Sequence, residues 1–201
     1  MAKIGIVGGT FDPIHKGHLM LGHQAYREYE LDEIWFMPSG IPPHKTDHRI
    51  TDTNDRCEMV SLAIAGTPYF KFSDFEVRRE GNTYTAETLR LLNQEYPEHH
   101  FYFIIGADSL YEIETWYHPE LVMSQTTLLA ADREYPNAPC TVDERIAELT
   151  ERYHARIFRL HCKEVLAASA DIRRMLANGQ SVQDYLPKAV EAYIAAHNLY
   201  R

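Results

Sequence analysis

Two histidines three residues apart, His15 and His18, lie in a segment whose other residues suit phosphate chemistry: Gly8-Gly9-Thr10-Phe11-Asp12-Pro13-Ile14-His15-Lys16-Gly17-His18. Glycines at 8 and 9 let the backbone approach a ligand closely and adopt dihedrals closed to other residues. A helical pattern opens at Gly17, and a helix N-terminus offers unpaired N–H groups and the positive end of a dipole, which suit a phosphate. Residues three apart on a helix share a face, so the imidazoles would project together. Two such donors can stabilise the negative charge that builds on a phosphate during substitution. Taken singly, Gly-Gly reads as a tight turn and a His pair as surface residues. Together, between a strand and a helix, they point to phosphate chemistry.

The elements that must position this loop alternate along the chain. Short apolar runs predict strands over 3–7, 33–37, 70–73, 100–105, 127–131 and 156–160. Helical periodicity predicts helices near 17–29, 54–65, 86–96, 142–153, 170–178 and 188–197. Thr141 with Glu144 has the form of a capping box, Gly66 before Pro68 and Gly179 read as helix stops, and Pro187 suits a first helical turn. Strand–helix alternation without a repeat or a Gly/Ser linker implies one α/β domain over 1–201. Its expected form is a Rossmann-like, doubly wound, mainly parallel sheet flanked by helices. Ligands of such sheets bind beyond the carboxyl ends of the strands, so the loops after the strands carry the site.

Composition narrows the function further. Twenty Lys and Arg against 29 Asp and Glu give a net charge of −9, which argues against a nucleic-acid partner. An anionic ligand must then be held by a local basic pocket. Three scattered cysteines suit a reducing compartment, and neither a signal peptide nor a membrane span is evident, so a cytoplasmic location without a membrane partner is expected. His44 with His48, and His161 beside Cys162, do not extend to a four-ligand spacing, so no protein-bound metal site is expected.

The loop from Gly8 to His18 resembles, nearly position for position, the signature of the nucleotidyltransferases that carry a [His/Thr]-x-Gly-His motif. Within that superfamily it is most similar to bacterial nicotinate-nucleotide adenylyltransferases. Phosphopantetheine adenylyltransferases usually have Thr at the position of His15, and cytidylyltransferases generally differ at Pro13. The resemblance extends through Pro42-Pro43-His44-Lys45, Arg56 with Met59, Thr83-Tyr84-Thr85 with Thr88-Leu89, Gly106-Ala107-Asp108-Ser109-Leu110, and Trp116. It departs at 167–173. There the family shows Ile-Ser-Ser-Thr-x-Ile-Arg, and this chain keeps Ser169 and Arg173 but has alanine at 168 and 170.

The resemblance implies in-line attack by the phosphate of nicotinate mononucleotide on the α-phosphorus of ATP, releasing pyrophosphate. The attacking phosphate is already ionised, so no general base is needed. His15, His18 and Arg173 would be catalytic. Gly8, Gly9, Thr10, Phe11, Lys45, Gly106, Asp108 and Ser169 would hold ATP and its phosphates, with Mg²⁺ bridging ATP oxygens. Tyr84, Thr85 and Trp116 would receive the pyridine. Taken alone, Thr83 or Thr85, Asp108 and Ser169 also read as helix caps, and Trp116 as packing. A different phosphorylated acceptor and a regulator without catalysis are the rival readings. A tRNA-binding reading fails on length, acidity and the missing Lys-Met-Ser-Lys-Ser motif. The pattern leaves room for a homo-oligomer.

Overall fold

In the computed structural model, which describes residues 1–40, 50–132, 138–162 and 168–201, six parallel strands form one sheet in the order β3-β2-β1-β4-β5-β6. The strands are β1 (Lys3–Gly9), β2 (Glu33–Pro38), β3 (Phe70–Phe72), β4 (His100–Ile105), β5 (Thr127–Ala131) and β6 (Arg156–Leu160). Side chains alternate across a strand, and this alternation divides the interior in two. Ile4, Ile6, Phe101, Phe103, Ile105, Leu128 and Ala130 face one core, whereas Val7, Ile34, Phe36, Ile104 and Leu129 face the other. All five residues of β5 are buried, as befits a strand covered on both faces.

Helices α1 (Lys16–Glu28), α2 (Thr53–Ile64), α7 (Ser169–Ala177) and α8 (Lys188–Ala196) contribute to the second core. The first is covered by α3 (Thr85–Glu95), α4 (Ala107–Glu112), α5 (Pro119–Gln125) and α6 (Val142–Tyr153). The predicted strands agree with the observed ones to within two residues, and six helices lie where periodicity placed them. Thr141 and Glu144 form the expected reciprocal cap of α6, with bonds of 2.8 and 3.2 Å. Gly179 ends α7 at φ +68°. Pro187 is the N-cap of α8 rather than a residue of its first turn.

Of two short helices, α4 lies where reading Asp108 as a cap implied a helix over 109–114, and α5 was not expected, since it does not span the two turns over which a stripe can repeat. Tertiary contacts hold this stretch. Glu114, in the 3₁₀ turn Ile113–Thr115 after α4, accepts hydrogen bonds from Arg145 (2.8 Å), Arg152 (2.6 Å) and Tyr153 (2.8 Å) on α6. Tyr153 and Arg145 hold its carboxyl down at about 2. A depressed carboxyl stabilises the fold above its unfolded value and loses that contribution as pH falls through its folded one. Glu114→Gln should therefore melt a few degrees below wild type at neutral pH. In thermal melts the gap should close between pH 4.5 and about 2.

Candidate active site

The strand order reverses between β1 and β4, so the crevice that such folds use for nucleotides opens beyond Gly9 and Ile105. Gly8 and Gly9 belong to β1, paired with Met37 and Pro38, so the loop begins at Thr10. Neither glycine has a positive φ; Phe11 takes the left-handed conformation instead, at φ 50°. The sequence reading that these glycines supply unusual dihedrals is thereby corrected. They serve by absence of a side chain, because a Cβ at Gly8 would lie 3.2 Å from Phe103 and one at Gly9 3.2 Å from Phe11. The Phe11 ring is buried and meets His18 edge-on at 5.0 Å, so it supports the imidazole from the core.

The two imidazoles cap their own helix. His15 is the N-cap of α1, and its Nδ1 accepts from the Gly17 amide at 3.1 Å. The His18 Nδ1 accepts in turn from the His15 amide at 3.2 Å. An Nδ1 that accepts an N–H carries no proton, so each neutral ring has its proton on Nε2. The rings stack with centroids 3.7 Å apart, and His15 is only 8% exposed. The amides of Lys16, Gly17, His18 and Leu19 all have partners within the chain. The expectation of unpaired amides at this helix start is corrected: these four are taken up within the chain, and both imidazoles have Nδ1 occupied as an acceptor.

The loop carrying these rings is held from several sides. Arg56 of α2, 1% exposed, donates to the carbonyls of Thr10 (2.7 Å), Ser39 (2.9 Å), Gly40 (3.3 Å) and Thr51 (3.1 Å) and to the Thr53 hydroxyl (3.1 Å). From α7, Arg173 donates to the Asp12 carbonyl at 2.7 Å and Ser169 to the Pro13 carbonyl at 3.0 Å. The N-cap of α7 is Ala168, so Ser169 is not a cap; its hydroxyl ties α7 to the loop. Asp12 is buried, and Tyr200 donates to it at 2.7 Å. Burial pushes the Asp12 carboxyl up, but hydrogen bonds from Thr51 and Tyr200 and the Arg173 charge outweigh it and keep it below its ordinary value.

Of the remaining predicted residues, Gly106 and Asp108 directly follow β4, whereas Tyr84 and Thr85 open α3 and Trp116 follows the 3₁₀ turn. Gly106 is the N-cap of α4, directly after β4, and the Asp108 carboxylate folds back over its Cα, occupying the space a side chain would take. Asp108 lies inside the first turn and is not the cap. Tyr84 is the N-cap of α3 and supplies no side-chain hydrogen bond there, so Thr83 and Thr85 are not caps either. The Tyr84 ring packs on Tyr117 at 4.4 Å, and half-buried Trp116 meets Phe103 edge-on at 6.4 Å. Phe103 in turn bounds Gly8, so Trp116 and the end of β1 share a neighbour. Lys45 lies outside the described residues.

Strand order and imidazole placement together are those of a nucleotide-binding α/β enzyme built for phosphate substitution. Residues 6–180 match the cytidylyltransferase-like family model. A protein of Lachnoclostridium phytofermentans named "Probable nicotinate-nucleotide adenylyltransferase" is 44% identical over 200 residues, covering 100% of both chains. A protein of the same name from Dehalococcoides mccartyi is 43% identical, covering 98% of this chain and 97% of its own. The structure is also similar, at TM-score 0.83 and 20% identity, to Plasmodium falciparum nicotinic acid mononucleotide adenylyltransferase complexed with NaAD, covering 100% of this chain and 98% of that one. The chain belongs to the nicotinate-nucleotide adenylyltransferase family of cytidylyltransferase-like proteins.

Proposed function

We propose that this chain joins ATP to nicotinate mononucleotide at the crevice beside His15 and His18, forming nicotinate adenine dinucleotide and pyrophosphate. A phosphate oxygen of the mononucleotide forms the new bond to the α-phosphorus of ATP, and the bond to the β-phosphate oxygen breaks. The attacking oxygen is already anionic, so positioning and charge stabilisation carry the catalysis. The observation that supports this most is the double Nδ1 commitment of the imidazole pair. Both Nε2–H donors are oriented before substrate arrives, which is what stabilisation of developing phosphate charge requires.

The supporting roles follow from the same neighbours. Gly8 and Gly9 allow close approach, and Thr10 and Phe11 offer their backbone. Arg173 and Ser169 hold the loop through its carbonyls, and the start of α7, where Ala168 has no side-chain acceptor, can meet the triphosphate through its amides. Lys45, which follows β2 in the sequence, would add a positive charge. Gly106 and Asp108 suit nucleotide hydroxyls. At the start of α3, amides that Tyr84 leaves uncapped suit the nicotinate carboxylate, with Thr85 in the first turn and Trp116 stacking on the ring.

Mg²⁺ would enter with the ATP phosphates, as is usual for nucleotide substrates. The loop's own carboxylate, Asp12, is engaged by Tyr200 and Thr51 and faces Arg173, so it is not a ligand to spare; no step here passes through the ion. Three free thiols suit a cytoplasmic setting. Among the described residues no helix is long and apolar enough to cross a membrane.

The test is pyrophosphate release and dinucleotide formation with ATP or CTP against a panel of phosphorylated acceptors. Turnover confined to ATP with a pyridine mononucleotide is expected; turnover with another acceptor alone would sink the proposal. Trp116→Ala should raise KM for the pyridine substrate about tenfold or more, the equivalent of roughly 1.4 kcal/mol of lost stacking, and leave ATP affinity nearly unchanged. An equal loss for both ligands would assign Trp116 to packing.

A further inference from the structure

The chain after α8 returns to the catalytic loop. Leu199 packs against the second core, and Tyr200, in the left-handed conformation at φ 62°, sends its hydroxyl to Asp12 Oδ1 at 2.7 Å. The contact joins residues 188 positions apart. Asp12 lies three residues before His15, and its own carbonyl is held by Arg173. Among the described residues, the charged and titratable groups facing its carboxylate include Tyr200 after α8, Arg173 on α7 and Arg56 on α2, with Thr51 donating from the segment ahead of α2. Arg56 and Arg173 take backbone carbonyls of this loop; Tyr200 addresses its one carboxylate.

The geometry points to Tyr200 as a positioning residue for adenylyl transfer, acting through Asp12 to fix the stretch that carries His15 and His18. The inference rests on the adenylyl-transfer reading. Tyr200 is not catalytic, because it touches the loop from the side of Asp12 and acts through it. A carboxylate released from its hydroxyl donor can rotate, and the loop's imidazoles then lose the placement that in-line substitution requires. Misplacement by about an ångström is enough to cost up to ~10²-fold in rate.

Tyr200→Phe removes one oxygen and keeps the ring that fills the space. The variant is expected to lose about tenfold in kcat, with KM for ATP little changed. Removing a bond that favours the charged carboxylate raises its protonation midpoint, so the acid limb of the pH–rate profile should move to higher pH. Amide hydrogen exchange over residues 10–16 should quicken in the variant. Combining it with Asp12→Asn should cost little more than the slower single variant, as expected of two groups acting as one unit. Wild-type kcat, an unmoved acid limb or strictly additive losses would overturn the proposal, as would a rate loss that tracks thermal stability alone. Wild-type dinucleotide formation in the same assay tests the reaction assignment separately. The exchange comparison tests the latch whether or not that assignment holds.

Discussion

His18→Ala is expected to lower kcat by about 10²–10³, roughly 3–4 kcal/mol of transition-state stabilisation, while ATP binding changes little. On the proposed reading, its Nε2–H matters mainly as charge accumulates on the α-phosphate. The ring has a second job, since its Nδ1 accepts the His15 amide. Alanine removes both, so a second variant separates them. In His18→Asn the side-chain oxygen can replace Nδ1 as acceptor, but no donor stands at the Nε2 position. His18→Asn should keep most of the thermal stability that alanine loses and still be about as slow. If His18→Asn recovered near-normal kcat, the imidazole would be a cap and the donor role would fall.

The second large effect is expected at Arg56, and it is one of stability. Five hydrogen bonds tie this buried guanidinium to the carbonyls of Thr10, Ser39, Gly40 and Thr51 and to Thr53. Burial pushes its own pKa down, against the opposing pull of Asp12 and other neighbours. Arg56→Met keeps much of the stem and leaves the carbonyls without their donor. Each unsatisfied buried group costs about 1–3 kcal/mol, and some will recruit water, so a net loss on the order of 4 kcal/mol is expected. For a domain of this size that corresponds to a melting temperature lower by about 8–16 °C. Arg56→Lys should recover only part of it, because a point-like ammonium cannot span the separated acceptors. A lysine variant as stable as wild type would show that the charge matters and the fork does not.

Both effects bear on how much was legible beforehand. The strands and the long helices were, because alternation and the 3.6-residue stripe are local patterns; so was the cap at Thr141 and Glu144. The His15–His18 pair stood out in the sequence through its loop and its spacing, and the structure does bring the two rings together. What escaped is non-local. That His15 and His18 would cap one another, consuming the amides expected to receive phosphate, depends on rotamers that spacing does not reveal. Helix α5 is too short for a periodic signal, and Glu114 anchors the stretch before it through residues 31–39 positions away. Arg56 stood out only through resemblance, with no hint that its five bonds brace the loop. Tyr200 carried no signal, because nothing near it in sequence marks a partner at Asp12. Ser169 and Arg173 were expected to face phosphate; what the structure shows is that both hold carbonyls of the first loop.

The alanines at 168 and 170 fit this picture. Hydroxyls lost there would each have contributed on the order of 1.5–3 kcal/mol at most, whereas Ser169 and Arg173 keep their bonds to the first loop.

The most direct test of the central claim is steady-state kinetics of dinucleotide formation from ATP with nicotinate mononucleotide and with its nicotinamide counterpart. The start of α3 presents amide donors that its N-cap Tyr84 does not satisfy, under the positive end of the helix dipole. A carboxylate accepts from such donors with charge-assisted bonds, while a carboxamide brings donors of its own against them. A kcat/KM for the nicotinate substrate at least about tenfold above that for the nicotinamide one, some 1.4 kcal/mol, is predicted. Equal values, or a preference for the amide, would contradict the account.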